Sequence, residues 1–170
     1  MTRWEGEATV LGPPVTMGSK RAFVNRKTHR AVVVDDKRPE LRHWQQAMRE
    51  EMERTAPEQP LSCAVTVTVL VYLLRPKGHY GSGRNADKLR ESAPAYPIGK
   101  PDADKILRAV LDCGTGIWFR DDAQVCGLHI LKRWATGSPK TSVYGTSLPL
   151  GGDRNWAREQ EEAGEELMLR

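Results

Sequence analysis

The stretch LSCAVTVTVLVYLL, residues 61–74, is the part of the sequence that decides the fold. From Ala64 onward, small and threonine side chains alternate with a regular series of valines, which is typical of a β-strand. The alternation gives way to the all-apolar run 70–74, which indicates burial on both faces at that end. The sequence therefore predicts a long strand in the middle of a sheet.

Two amphipathic helices are predicted, one on either side of this strand along the chain. The first spans residues 39–55, begins at Pro39 and is ended by Pro57 and Pro60. Its apolar side chains share one face at helical spacing: Leu41, Trp44, Met48 and Met52. The second spans residues 101–113 and presents Ile106, Ala109, Val110 and Cys113. Each helix has one face available to cover a sheet.

The remaining elements are short. Strands are predicted at residues 8–11, 31–34, 117–119, 124–134 and 141–148, with a loop or an irregular hairpin at 16–30. Residues 75–99 contain four glycines and three prolines, which predicts a long excursion with at most one helical turn near 86–90. The element order predicts an α+β fold: a single domain with a mixed β-sheet and two main helices.

Charge is distributed unevenly along the 170 residues, whose formal net charge is +4. Residues 18–42 contain eight basic and three acidic residues, whereas residues 153–170 contain six acidic and three basic ones. We therefore predict a basic domain at residues 1–150 and an acidic C-terminal tail at 151–170. A basic domain favours a polyanionic partner such as nucleic acid.

Several classes of protein are not expected from this sequence. No apolar run approaches the roughly 20 residues of a membrane helix, so a membrane partner is not expected. The N-terminus lacks the apolar core of a signal peptide, and a cytoplasmic location is predicted. The three cysteines have no CxxC spacing, so each is predicted to fill a core position in a reducing compartment.

Five aspartates lie in the segment 100–122, KPDADKILRAVLDCGTGIWFRDD. Asp102 and Asp104 flank the predicted start of the second helix. Asp104, Arg108 and Asp112 follow one another at intervals of four residues and form a polar stripe on that helix. We expect the short strand 117–119 to bring residues 121–122 back towards the helix start, so that three or four carboxylates converge.

Converged carboxylates repel one another and are costly unless a cation lies among them. All-oxygen ligands suit Mg²⁺, with Mn²⁺ as the alternative, and such an ion beside basic residues is typical of phosphodiester hydrolysis. Ordinary structural roles compete with this interpretation. Asp102 could be a helix cap, Asp104 and Arg108 a surface ion pair worth about 0.5 kcal/mol, and residues 121–122 a turn.

The segment 100–125, KPDADKILRAVLDCGTGIWFRDDAQV, strongly resembles the signature of the RusA family of Holliday-junction resolvases. The family pattern opens with Asp-x-Asp-Asn, has a basic residue four positions after the second Asp and a further Asp in the same helix, and closes with Asp-Asp-x-Gln. The positions that match are Asp102, Asp104, Asp112, Asp121, Asp122 and Gln124. The resemblance implies a RusA-like fold and a member of phage or prophage type.

The same resemblance implies a magnesium-dependent endodeoxyribonuclease that acts as a homodimer. Its substrate would be branched DNA, namely four-way junctions, in recombination, repair or phage DNA processing. Asp102, Asp104 and Asp122 would be the catalytic and metal-binding carboxylates, with Asp112 and Asp121 as supporting residues.

Two basic residues depart from the family pattern. Arg108 replaces a lysine of the family, and Lys105 replaces the asparagine. Arginine cannot give up a proton near neutral pH, so Lys105 could act as the acid in its place, or could compete with the metal for the carboxylates. Five basic residues are candidates for contacts with DNA phosphates: Lys20, Arg21, Arg26, Lys27 and Lys100.

Two other functions remain open from the sequence. A lysine within the carboxylate cluster could replace the metal, which would leave a catalytically silent protein that binds DNA junctions. The same site could also act on other nucleic acids, such as flap DNA or RNA.

Overall fold

The computed structural model describes residues 3–17, 21–24, 26–34 and 39–148, and contains six strands and two α-helices. The strands are β1 (Glu5–Leu11), β2 (Arg21–Val24), β3 (Ala31–Val34), β4 (Val65–Leu73), β5 (Val125–Trp134) and β6 (Lys140–Ser147). The helices are α1 (Pro39–Glu53) and α2 (Ala103–Gly114). Short 3₁₀ turns lie at Lys77–His79, Gly83–Asn85 and Asp122–Gln124.

Four strands form one mixed sheet in the order β1-β6-β4-β5. β4 pairs in parallel with β5 and antiparallel with β6, while β6 pairs antiparallel with β1. β2 and β3 form a separate antiparallel hairpin, which is the second of the two alternatives predicted for residues 16–30. The predicted α+β class, with a mixed sheet and two main helices, is confirmed.

The core lies between one face of the sheet and the two helices. Alternate valines of β4 point into it, together with the predicted apolar faces of α1 and α2. The second face of β4 is different, because Leu70 and Tyr72 are only half-buried, and Leu74 beyond the strand is exposed. The predicted burial on both faces is therefore wrong, since both helices pack on the same side of the sheet.

Helix α2 connects two parallel strands. A parallel pair needs a crossover connection, and after the 75–99 excursion α2 supplies it by running from the end of β4 back to the start of β5. Its 12 residues span about 18 Å. The two ends of α2 therefore lie at opposite ends of the β4–β5 pair, which determines the geometry of the site described below.

Residues 114–119 form a turn rather than the predicted strand 117–119. The backbone N–H groups of Ile117 and Trp118 both donate to the Gly114 carbonyl, and Phe119 makes only isolated bridges, to Leu61 and Thr115. The segment turns back so tightly at Gly114 that a Cβ there would meet the Phe119 ring at 2.7 Å. The chain therefore reverses direction here with the Phe119 ring packed directly against Gly114.

The 75–99 excursion is attached to the end of β5. The Arg75 guanidinium lies over the Trp134 ring at 4.8 Å, and both side chains donate to the Pro94 carbonyl, at 2.9 and 3.0 Å. No α-helical turn forms near residues 86–90, in keeping with the prediction of at most one, and two 3₁₀ turns precede this position, at Lys77–His79 and Gly83–Asn85. The excursion thus covers the same end of the sheet at which α2 begins.

Two predictions concern residues that the structure describes only in part or not at all. The acidic tail 151–170 and Lys20 are not among the described residues, and the side chain of Arg21 is not described either. Within the described ranges, the helices are all too short or too polar to cross a membrane.

The cysteines occupy three different environments, so the prediction that all three fill core positions holds only in part. Cys113 is buried, Cys63 is half-buried and Cys126 is exposed. Burial raises the pKa of the Cys113 thiol to about 12. At pH 8 its thiolate fraction is then about 10⁻⁴, and the thiolate is the reactive form.

We therefore expect iodoacetamide at pH 8 to modify Cys126 in the folded protein and to leave Cys113 unmodified. Peptide mass spectrometry after timed quenching measures both sites in one sample, and the same reaction in concentrated urea is the control, in which all three cysteines react. Equal rates at Cys113 and Cys126 in the folded protein would contradict the burial of Cys113.

Candidate active site

Asp102 and Lys105 form an ion pair at the start of α2. Asp102 occupies the N-cap position in an extended conformation, with φ −70° and ψ 136°, but its side chain caps no backbone N–H. Its Oδ2 instead lies 2.9 Å from Lys105 Nζ. The helix-cap alternative is thus correct for the position of Asp102 and wrong for its hydrogen bond.

The charges around this pair favour both ionised forms. The hydrogen bond from Lys105, followed by its charge, lowers the pKa of Asp102, and Lys100 and Lys132 act in the same direction. The bond to Asp102 in turn raises the pKa of Lys105. While the pair is closed, Lys105 holds its proton more firmly, which disfavours a role as proton donor in this state.

Lys132 of β5 supports the backbone that leads into α2. Its Nζ donates to the carbonyls of Gly99 at 2.7 Å and Pro101 at 3.0 Å, on the two sides of Lys100. Sequence analysis missed this residue. The signal was there, because Lys132 interrupts the phase of β5 that otherwise contains Cys126, Leu128, Ile130 and Trp134. The partners of Lys132 lie in the segment before α2, so its role depends on a tertiary contact as well as on the strand pattern.

A cleft of about 400 Å³ opens beside the ion pair. The segment after β1, the end of β4 and the start of α2 form its walls. The lining residues are Pro13, Pro14, Thr16, Met17, Leu73, Lys100, Pro101, Asp102 and Lys105. The cleft thus lies at the carboxyl ends of the parallel strands, where open α/β sheets commonly bind their ligands.

The polar stripe of α2 extends along the helix and does not gather at one point. Asp104 lies in the first turn, and both Asp104 and Arg108 are exposed. Within the described part of the chain, these two residues form no ion pair with each other. Asp112 lies about 12 Å further along, where Arg49 of α1 donates to its carbonyl at 2.7 Å. Asp112 therefore belongs to the contact between the two helices.

Asp121 and Gln124 build the turn that contains Asp122. Asp121 Oδ1 accepts from the N–H of Ala123, and Gln124 Oε1 accepts from the N–H of Asp121, both at 2.9 Å. Gln124 Nε2 also donates to the carbonyls of Leu61 and Cys63, at 2.9 and 2.8 Å. The turn alternative is therefore confirmed for Asp121, and Gln124 attaches this turn to the chain just before β4.

The expected convergence of the carboxylates is wrong within one chain. Asp102 lies near Leu73 at the end of β4, whereas Asp122 lies just before β5, at the start of the β4–β5 pair. Among the described residues, no group of three His, Cys, Asp or Glu side chains could hold one metal ion. A single chain folded in this way does not fit a three-carboxylate magnesium site.

The candidate DNA-contacting residues lie in two places. Lys100 lines the cleft beside Asp102. Arg26 and Lys27 are exposed in the turn between β2 and β3. Nothing described joins these two places into one surface.

Two comparisons with known proteins found similarities, and the first of them agrees with the resemblance seen in the sequence. The family model of endodeoxyribonuclease RusA matches residues 12–144, which include every described carboxylate discussed above. A Bacillus subtilis (strain 168) protein described as uncharacterized protein YqaN is 29% identical over 136 residues, or 79% of this chain and 91% of that protein. Because the family model covers well over half of the sequence, the chain belongs to the RusA endodeoxyribonuclease family.

Proposed function

We propose that the protein is a Mg²⁺-dependent endodeoxyribonuclease that resolves four-way DNA junctions in recombination, repair or phage DNA processing. The observation that carries the proposal is the match to the RusA family over residues 12–144. The described structure supports it with Asp102 beside a cleft and with three lysines at the same end of the sheet: Lys100, Lys105 and Lys132. The cofactor is proposed as Mg²⁺, with Mn²⁺ as the alternative, and the proposed location is the cytoplasm.

The proposal gives each polar residue a distinct role. Asp102, Asp104 and Asp122 are proposed as the catalytic and metal-binding carboxylates, although within one chain Asp122 lies apart from the other two. Asp112 and Asp121 support the elements that present them. Arg108 and Lys105 neutralise phosphate charge, and Arg108 does so without proton transfer. Lys20, Arg21, Arg26, Lys27 and Lys100 contact the DNA backbone, and such contacts weaken as salt concentration rises.

The proposed assembly is a homodimer of residues 1–150, followed by the acidic segment 151–170. Two identical sites in a two-fold dimer suit a substrate that needs two cuts. The basic charge of the first 150 residues favours association with DNA rather than with a membrane surface.

One gel assay tests this function. A labelled four-way junction, with linear duplex, flap and single-stranded DNA of matched sequence, is incubated with the protein in Mg²⁺ or in EDTA. Symmetric nicks in the junction alone, lost in EDTA and restored by added Mg²⁺, are the expected result. Preferential cutting of flap or single-stranded DNA would overturn the choice of substrate, and cutting in EDTA would overturn the metal dependence.

The ion pair favours a second candidate, a catalytically silent junction-binding protein. Lys105 already supplies Asp102 with a positive charge at 2.9 Å, where a metal ion would otherwise compensate it. This candidate predicts a shifted but uncut junction in both Mg²⁺ and Mn²⁺, with an affinity that EDTA does not change. The same gel therefore separates the two functions.

Lys132 is expected to position the residues before α2 rather than to contact DNA itself. Lys132→Met removes two charge-assisted hydrogen bonds, so we expect junction cleavage to slow by about 10- to 100-fold. Lys132→Arg keeps donors in reach and should restore most of the rate. Single-turnover cleavage measures both variants, and junction binding is measured separately. Equal loss in both variants, or loss of binding alone, would contradict a positioning role.

A further inference from the structure

Two exposed apolar side chains, Tyr96 and Ile98, lie in the chain just before the residues that line the cleft. Ile98 is 84% exposed and Tyr96 is 58% exposed, although Pro97 between them is buried. Only four residues separate Ile98 from Asp102, so their Cα atoms lie at most about 14 Å apart. Exposed apolar side chains that cluster beside a cleft mark a binding surface. Tyr96 and Ile98 are called the apolar pair below.

The backbone that carries the apolar pair is fixed on both sides. Before the pair, the Trp134 and Arg75 side chains both donate to the Pro94 carbonyl, at 3.0 and 2.9 Å. After the pair, Lys132 Nζ donates to the Gly99 carbonyl at 2.7 Å. A ligand that contacts the apolar pair would therefore lose little binding free energy to the ordering of the protein chain.

The apolar pair lies where the chain crosses from one face of the sheet to the other. The Arg133 guanidinium lies over the Tyr96 ring at 5.0 Å, whereas the neighbouring Lys132 reaches Gly99. Successive side chains of a strand point to opposite faces of the sheet, so these two contacts lie on opposite faces of β5. Ile98 lies between them, beside the edge strand of the four-stranded sheet.

The surroundings of the apolar pair are mainly basic. Four cationic side chains lie at this end of the sheet: Lys100, Lys105, Lys132 and Arg133. The carboxylates there are Asp102, which is already paired with Lys105, and Asp104. A second copy of this chain that met the apolar pair across a two-fold axis would bring these cations against their own copies. A polyanion would instead be attracted to them, which favours DNA as the occupant.

We propose that the apolar pair binds nucleobases that the branch point of the DNA leaves unstacked. The inference rests on the proposed function and deepens it, because it names the part of the substrate that distinguishes a junction from a linear duplex. Tyr96 carries Arg133 on one face of its ring, so a base stacks on the other face, a contact that tolerates any sequence. Ile98 supplies an apolar contact of the kind that enters a base step.

The position of the apolar pair also limits which bases it reaches. Successive nucleotides of one strand are spaced by about 3.4 Å, and Ile98 lies at most about 14 Å from Asp102. The contacted base would therefore lie within about four nucleotides of a phosphate bound at Asp102. In a linear duplex every base is stacked, so the apolar pair adds nothing there and only phosphate contacts remain.

Binding in EDTA tests this inference without relying on cleavage. Fluorescence anisotropy compares the wild type with Tyr96→Ala/Ile98→Ala on a labelled four-way junction and on a linear duplex of the same sequence. We expect junction affinity to fall by about 10- to 100-fold, as for the loss of one or two base stacks, and duplex affinity to stay within about twofold. Because no phosphate contact is lost, the slope of log affinity against log salt concentration should not change.

Two single variants are the matched controls. Tyr96→Phe keeps the ring and should keep the wild-type affinity for the junction. Leu11→Ala removes a side chain that is 73% exposed from β1, the opposite edge strand, and should change neither affinity. A photo-crosslink gives positive evidence. When 5-iododeoxyuridine replaces thymidine at the branch point, ultraviolet light should join it to Tyr96 in the junction and not in the duplex, as peptide mass spectrometry measures.

The outcomes separate the base contact from the proposed function. Wild-type junction affinity in the double variant, or equal losses on junction and duplex, would overturn the base contact while the proposed function stands. A loss of junction affinity together with a smaller mass in light scattering would also overturn it, because the apolar pair would then be an interface between copies. A wild-type protein that binds junction and duplex equally would overturn the proposed function and the base contact together.

Discussion

Changing Asp104 to Asn is expected to lower junction cleavage by about 10³-fold, equivalent to about 4 kcal/mol in the activation free energy. The change keeps the size of the side chain and removes one negative charge. Asp104 is exposed, so the change should leave the fold intact. It should also leave the ion pair between Asp102 and Lys105 intact, because Asp104 is not part of that pair. Single-turnover rates on a labelled junction measure the loss, and gel shifts in the absence of divalent ions show that junction binding persists.

Asp87→Asn is the matched control for this variant. Asp87 is also an exposed aspartate, but it lies in the 75–99 excursion and outside the motif. Its loss should leave the cleavage rate within about twofold, as is usual for surface changes of this kind. If Asp104→Asn cleaved at the wild-type rate, or if both variants fell equally, Asp104 would have no catalytic role.

The apolar pattern of the sequence predicts the core well. The four residues expected on the inner face of α1 are all buried, and so are the four expected on α2. Helical and strand periodicities depend on which residues share a face, and that is a local property of the chain. For the same reason the valine series of β4 identified the central strand.

Burial of the second sheet face could not be predicted in the same way. The run 70–74 is apolar throughout, yet Leu70 and Tyr72 are only half-buried. Apolar composition shows that a residue can be buried, whereas actual burial depends on whether a layer covers that face. With two helices on one side of the sheet, the described chain offers no comparable layer for the other.

The prediction that failed at the site was the direction in which the chain returns after α2. The short strand predicted at 117–119, together with the spacing of the aspartates, predicts that residues 121–122 come back to the helix start. The structure shows instead that β5 runs parallel to β4, so the chain must begin β5 at the far end. Strand orientation depends on long-range pairing, which the aspartate spacing does not contain. Chain direction, and not residue chemistry, separates Asp122 from Asp102.

Replacing Trp118 by Ala is expected to lower the free energy of unfolding by about 3–5 kcal/mol, the range for large aromatic side chains in cores. Trp118 is fully buried, and its Nε1 donates to the Met52 carbonyl at 2.8 Å. Its ring meets Trp4 edge-on at 5.3 Å and lies against the backbone of Gly145. One side chain thus connects the end of α1, β1, β6 and the turn that leads to Asp122.

Urea denaturation measures this loss, with Trp118→Phe and Tyr96→Ala as companions. Trp118→Phe keeps most of the buried ring and removes one of the two donors to the Met52 carbonyl, which retains the Thr55 N–H at 3.3 Å. Its loss should therefore be smaller, about 1–3 kcal/mol. Tyr96 is exposed beneath the Arg133 guanidinium at 5.0 Å, and its truncation should cost under about 1 kcal/mol. A Trp118→Ala loss no larger than that of Tyr96→Ala would contradict the central position of this ring. The expected order instead makes Trp118 a central packing residue of the core, beside the turn that leads to Asp122.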